Sequence, residues 1–209
     1  MEPDAAEIRV AASLVEKQRT TPDQYPLTLN SLRLACNQST NRDPVVDYDE
    51  ATIRSALDRL TRRKWVTLAS WSTARSVKYK HLLDQALGLD GPQLAVMTVL
   101  MLRGAQTPGE LRQRTERIHR FDSNEELERA LDELMERGLC TRLPRRPGER
   151  GQRYRHLLSG GDDAAEPAPT ATIEAPAAGD GVERRIEALE AEVDSLRREL
   201  ARLREELGA

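Results

Sequence analysis

The side chains of this 209-residue chain best suited to chemistry are its arginines. Of its 32 basic residues only four are lysine, at 17, 64, 78 and 80. A guanidinium grips a phosphate or a base edge through two parallel hydrogen bonds, so arginines gathered on one face read as nucleic-acid contacts. Arg54, Arg59, Arg62, Arg63 and Lys64 fall largely off the apolar stripe of one expected helix. Arg75, Lys78 and Lys80 belong to one expected hairpin, and Arg145, Arg146, Arg150, Arg153 and Arg155 to another. These are the candidate DNA contacts, and the bland account of the arginine excess is a GC-rich genome. A second set, Asn37, Gln38, Asn41 and Arg42, packs side-chain amides around one arginine. It reads either as helix caps and Asx turns or as a surface for a partner.

Catalysis has no comparable set. The histidines are 81, 119 and 156. Cys36 and Cys140 fit no metal spacing and no disulfide framework. There is no Gly-rich phosphate loop, nucleophile elbow or carboxylate–histidine metal pattern. The expectation is a non-enzymatic protein with no cofactor and no metal, soluble and cytoplasmic. No apolar run is long enough to span a membrane, and the start of the chain lacks a signal-peptide layout.

The elements that must position these residues occur twice. Ile8-x-Val10-x-x-x-Leu14 with Thr21-Pro22 recurs 86 residues on as Leu94-x-Val96-x-x-x-Leu100 with Thr107-Pro108. Ala56-Leu57-Asp58-x-Leu60 recurs as Ala130-Leu131-Asp132-x-Leu134, and Tyr79-Lys80-His81-Leu82-Leu83 as Tyr154-Arg155-His156-Leu157-Leu158. The first copy carries about a dozen extra residues between Pro22 and Asp49. His81 and His156 are repeat-equivalent and read as structural.

Each copy shows three helical stripes followed by two strand-like runs around a polar turn. Asp49, Thr107 and Ser123 are expected helix caps, with Thr28 or Asn30 capping the second helix and Gly138 ending the last one. That order, in 70–80 residues, is the winged-helix order, whose third helix enters the major groove. The fold class is therefore mainly α with small β-hairpins, as two tandem winged-helix domains. They span residues 5–84, with an insertion at 23–48, and residues 91–158.

Residues 159–181 hold almost nothing large and apolar and read as a disordered linker. Over 182–207, Ile186, Leu189, Val193, Leu196, Leu200, Leu203 and Leu207 step by three and four. This heptad seam carries opposite charges at each g-to-e pair and predicts a parallel homodimeric coiled coil, or else a helix docking on the chain itself.

Charge is uneven. Residues 1–83 net +3, 84–158 net +1 and 159–209 net −7. The third helix of the second copy carries Glu125, Glu126, Glu128, Asp132, Glu133 and Glu136 and would repel a duplex.

Three blocks bear on family. Thr21-Pro22-Asp23-Gln24-Tyr25-Pro26-Leu27, Ala35-Cys36-Asn37-Gln38-x-x-Asn41-Arg42-x-Pro44-Val45 and Leu102-Arg103-Gly104-Ala105-Gln106-Thr107-Pro108-Gly109-Glu110-Leu111-Arg112 resemble the YceH-like family of bacterial proteins. The resemblance covers roughly residues 5–158. It implies a tandem winged-helix fold with no established activity, so no functional residue is carried over. Two functions stand as expectations: a dimeric DNA-binding or transcription-regulator-like protein, and a protein-interaction scaffold like the ScpB-type condensation subunits, without direct DNA binding.

Overall fold

The computed structural model describes residues 2–69, 77–145 and 151–159. The seam 186–207, nearly all of the linker, and Arg75, Arg146 and Arg150 lie outside the described residues. What is described is mainly helical with small antiparallel strands. The first copy runs α1 (Ala5–Thr20), a 3₁₀ turn (Pro22–Gln24), β1 (Leu27–Thr28), α2 (Leu29–Cys36), α3 (Glu50–Arg62), β2 (Val66–Ala69) and β3 (Lys78–His81). A short helix α4 (Leu83–Leu87) follows, then α5 (Gly91–Arg103), α6 (Pro108–Thr115), α7 (Asn124–Glu136), β4 (Cys140–Arg142) and β5 (Tyr154–His156).

Caps define the register between the copies. Asp4 caps α1 and Asp90 caps α5, each in a reciprocal box with the third helical residue, Glu7 and Gln93. Thr28 caps α2 and Thr107 caps α6. Asp49 caps α3 and Ser123 caps α7. The offset between equivalent caps thus falls from 86 to 79 to 74.

This corrects the sequence alignment at one point: Thr107-Pro108 matches Thr28-Leu29, not Thr21-Pro22. The Thr21 hydroxyl donates back to the Lys17 carbonyl at the end of α1 and caps nothing after it, and only the short 3₁₀ turn Pro22–Gln24 follows, not an α-helix. The extra residues of the first copy therefore sit in two places, one segment before α2 and one after it.

The third helices stop alike. Gly138 takes a left-handed φ of 67°, and Lys64, its equivalent, takes 60°. Past each stop the chain enters a hairpin. In the first copy β3 lies between β1 and β2, with Leu27 opposite Tyr79 and Val66 opposite His81. In the second copy β4 pairs with β5, and Gln106 alone fills the place of β1 by bridging Tyr154. The sequence reading lacks β1 and α4, both too short to show a period.

The copies are not separate bodies. Every residue of α1 from Glu7 to Val15, and of α5 from Gln93 to Leu102, is buried. A helix apolar all round must be covered on all sides. These two helices pack on each other and on the remaining elements of their own copies, so one hydrophobic core runs through both. Residues 1–163 form a single compact unit.

The segment after α2 strengthens that join. The Asp43 N–H donates to the Leu102 carbonyl of α5 at 2.9 Å, and Arg103 donates to the Asn41 side chain. The α4 turn is held in the same way: Arg137, just past α7, donates to the carbonyls of Leu87 and Gly88.

Candidate nucleic-acid interface

The five cations at the third helix of the first copy divide by face. Ile53, Ala56, Leu57 and Leu60 turn α3 onto the core. Arg59 and Arg63 sit at the edge of that face and reach back to α1. Arg59 Nε donates to Glu7 Oε2 at 3.1 Å, its terminal nitrogen meets Asp4 Oδ2 at 2.5 Å, and Arg63 Nε donates to Glu7 Oε1 at 3.0 Å. The Glu7 side chain is only 2% exposed. Burial alone would raise its pKa. The Asp4 N–H and the two guanidiniums outweigh that, holding the carboxyl below the usual value.

The second copy has the same joint in other chemistry. Gln93 replaces Glu7, Glu133 replaces Arg59 and Arg137 replaces Arg63. The Gln93 amide donates to Glu133 at 2.6 Å, and Arg137 donates to its carbonyl at 3.2 Å. An arginine pair whose equivalents are a glutamate and an arginine, all tied to the same helix start, fastens the first helix of each copy to the third. Internal alignment of the repeat carried this signal, through position 7 against 93 and position 59 against 133.

The other cations face outward. Arg54 is exposed and paired with Glu50 at 2.6 Å, an ordinary surface pair one turn apart. Arg62 and Lys64 are exposed at the end of α3. Lys80 is exposed on β3 opposite Thr67, and Lys78, half-buried, lies two residues back on the same strand face, opposite Ala69. That face is turned from the core, because Val66 and His81 on the other face are buried. Arg62, Lys64, Lys78 and Lys80 form no ion pair among the described residues, and the exposed acid on this side of α3 is Asp58. In the second hairpin Arg145 is exposed and Arg153 is half-buried beside Tyr154.

The amide-rich set turns inward. Arg42 is buried. It donates to both Glu16 oxygens at 3.0 and 2.6 Å, to the Ala35 carbonyl and to Gln38 Oε1. Asn37 clasps Tyr48 through its backbone, donating to the carbonyl at 2.8 Å and accepting the N–H at 3.0 Å. Asn41 reaches Arg103. These residues close the loop onto the core, and Asn41 is the exposed member.

Arg9 belongs to the same nest and escaped the sequence reading, because it interrupts an apolar helix without a visible partner. It is 4% exposed and donates to the carbonyls of Cys36 and Pro44. Burial, and then the neighbouring Arg42, push its pKa down.

Both thiols are buried, and burial pushes each pKa up to about 11. His81 is buried too: Nε2 donates to Gln18 Oε1 at 2.6 Å, while Nδ1 accepts the Leu83 N–H. Burial pushes the ring below its ordinary pKa, against the pull of Asp84 and with Arg19 adding to the shift. His156 Nδ1 accepts the Leu158 N–H in the equivalent way.

In the second copy an open groove of about 480 Å³ lies between α6 and the start of α7, lined by Arg112, Gln113, Glu116, Arg120, Phe121 and Asp122 with Gly109 at its edge. Two guanidiniums against two carboxylates leave it without a net preference for anions.

The family model described as "Protein of unknown function, DUF480" matches residues 4–149. The chain belongs to this family. Among its relatives, a UPF0502 protein of Geotalea daltonii is 49% identical over 166 residues, which is 78% of this chain and 76% of the relative. One from Opitutus terrae is 48% identical over 168 residues, covering 78% and 73%. One from Azotobacter vinelandii is 42% identical over 187 residues, covering 90% and 83%. The YceH-like resemblance is consistent with this DUF480 membership. The matched span holds both copies almost entire, so the shared core is included in what the family model recognises.

Proposed function

We propose that this protein binds duplex DNA without base-specific chemistry from its second copy, as a non-enzymatic, regulator-like tandem winged-helix protein. The supporting observation is the placement of Arg62, Lys64, Lys78 and Lys80. They lie at the end of α3 and on the outer face of its hairpin, with Arg62, Lys64 and Lys80 exposed and Lys78 half-buried, and none forms an ion pair among the described residues. In the winged-helix order those are the third helix and the wing, which meet phosphates from opposite sides. Arg59 and Arg63 drop out of the contact set because α1 holds them. The heptad seam over 186–207 would pair two chains inside the cytoplasm and double the number of phosphate contacts.

The test is fluorescence anisotropy of a labelled random duplex against the full chain at two salt concentrations. Binding that weakens steeply with salt, and that falls in an Arg62→Glu/Lys80→Glu chain of unchanged stability, supports the reading. No binding at low salt by folded protein would sink it.

A second reading rests on α7, whose outward residues Glu125, Glu128, Asp132 and Glu136 are all exposed. A protein-interaction scaffold would use that face. It would show no duplex binding, and charge reversal on α7 would release a protein partner.

A further inference from the structure

The two hairpins treat their free edges differently. β2 and β4 are the outer strands of their sheets. The Leu82 N–H donates to the Trp65 carbonyl at 2.7 Å, and the His81 N–H turns the other way, to the Tyr25 hydroxyl. Bonded pairs alternate along an antiparallel ladder. Thr67 and Ala69 therefore bond to β3, while Val66 and Leu68 aim their N–H and C=O groups at the free edge. No strand pairs with that edge among the described residues. In the second copy the Leu157 N–H donates to the Leu139 carbonyl, and the same alternation turns the backbone of Cys140 and Arg142 to the edge of β4.

The side chains then separate the copies. Tyr79 and Tyr154 are repeat-equivalent, which makes Arg142 the counterpart of Leu68. Arg142 is exposed and holds its guanidinium over the Tyr154 ring, 5.6 Å from the centroid. A charge set on the inner face of an edge strand guards it against another strand. Leu68 sets no such guard: it is 52% exposed and ends the cross-strand row Leu27, Tyr79, Leu68.

We propose that the free edge of β2 takes an extended segment of a partner protein in which acids alternate with apolar residues. Main-chain bonds to Val66 and Leu68 hold the segment, and its side chains alternate between the two sheet faces. Its apolar set continues the row that ends at Leu68. Its acids fall on the other face, that of Lys78 and Lys80. Those lysines lie opposite Ala69 and Thr67, so only small side chains stand between them and the added strand. That strand is about 10 Å from β3, two strand spacings, a gap that lysine and glutamate stems span together. None of the five strands among the described residues carries an acid, so a second copy pairing through one of them would leave the lysines unmatched. The inference goes beyond the DNA reading and does not rest on it.

The test is fluorescence anisotropy of a short labelled peptide alternating valine with glutamate, titrated with the full chain at low salt. N-methyl groups on alternate peptide amides block one edge of the peptide and leave the other free. The set that faces β2 should weaken binding at least about 10-fold, and the other set less than about 2-fold. Leu68→Arg, which copies the guard of the second hairpin, should also weaken it at least about 10-fold at an unchanged urea midpoint. Lys78→Gln/Lys80→Gln should weaken it about 3-fold and flatten its salt dependence. No binding at low salt, equal loss from both methylated peptides, or binding indifferent to Leu68→Arg overturns the proposal. A chain that binds no peptide and whose mass in solution falls on Leu68→Arg would give the edge to a second copy and overturn it too.

Discussion

Replacing Glu7 by glutamine tests the joint between the first and third helices. The carboxylate accepts three hydrogen bonds, from the Asp4 N–H at 3.1 Å, Arg59 Nε at 3.1 Å and Arg63 Nε at 3.0 Å. Glutamine keeps one acceptor and turns an NH₂ towards a donor. Removing one partner of a fully buried ion pair costs roughly 3–5 kcal/mol. Here only the glutamate is fully buried. Arg59 and Arg63 are 30% and 26% exposed, so water recovers part of the loss. About 1.5–3 kcal/mol is expected after that discount.

Urea unfolding at pH 7.5 measures it, and the shared core predicts one transition for residues 2–159. The pH dependence is specific. Glu7 has a lowered folded pKa, so its contribution is complete above the unfolded value of 4.5 and is lost as pH falls through the folded value. The gap between wild type and variant should be constant from pH 5.5 to 8 and close below about 4.5. A loss under about 0.5 kcal/mol, or a gap unchanged down to pH 3, would refute the assignment of this joint.

The matching joint in the second copy predicts that Gln93→Glu, which sets a carboxylate against Glu133, destabilises by about 1–2 kcal/mol. Adding Glu133→Arg should restore most of it, as measured by the same urea titration. Gly138→Ala should cost about 1 kcal/mol through its left-handed φ alone, since a Cβ there meets no atom within 4 Å, whereas Lys64→Gly should stabilise by up to a similar amount. Burial disfavours the charged form of His81 in the fold. Its contribution is intact above pH 6.5 and declines as pH falls towards the lowered folded value, so calorimetry should record net proton uptake by this ring on unfolding near pH 6. Cys36 and Cys140 should resist a thiol reagent in the native protein at pH 8 and react once urea unfolds it.

Helices with a capped start and a sustained apolar stripe could be read from the sequence, because each residue needed only its near neighbours. Asp49, Ser123, Thr107 and Gly138 act at the positions their local chemistry indicates. The misplaced Thr21-Pro22 match shows the limit of that approach. Proline after threonine suits a helix start, but whether one follows depends on where the next stripe begins.

Long-range partners were less visible still. Arg59 and Arg63 look like surface cations in the α3 pattern, and their ties lie 52 and 56 residues away in Glu7. The same holds for Arg42, which reads as one polar residue in a loop until Glu16 is folded against it. Arg62, Lys64 and Lys80 are exposed, and no ion pair ties them among the described residues, so they remain untested candidates for contact.

The packing of α1 against α5 has a consequence for how the molecule meets anything longer than itself. Tandem modules on a tether sample many separations and tolerate variable gaps between their two sites. Here the phase between the two hairpins is set by interdigitated side chains of two buried helices, as firmly as any distance inside one fold. A polymer touched by both copies must present its two contact points at that one interval. Lengthening residues 84–90 would not extend the molecule's reach; it would pull Leu83, Leu89 and the capped start of α5 out of register with the core they complete.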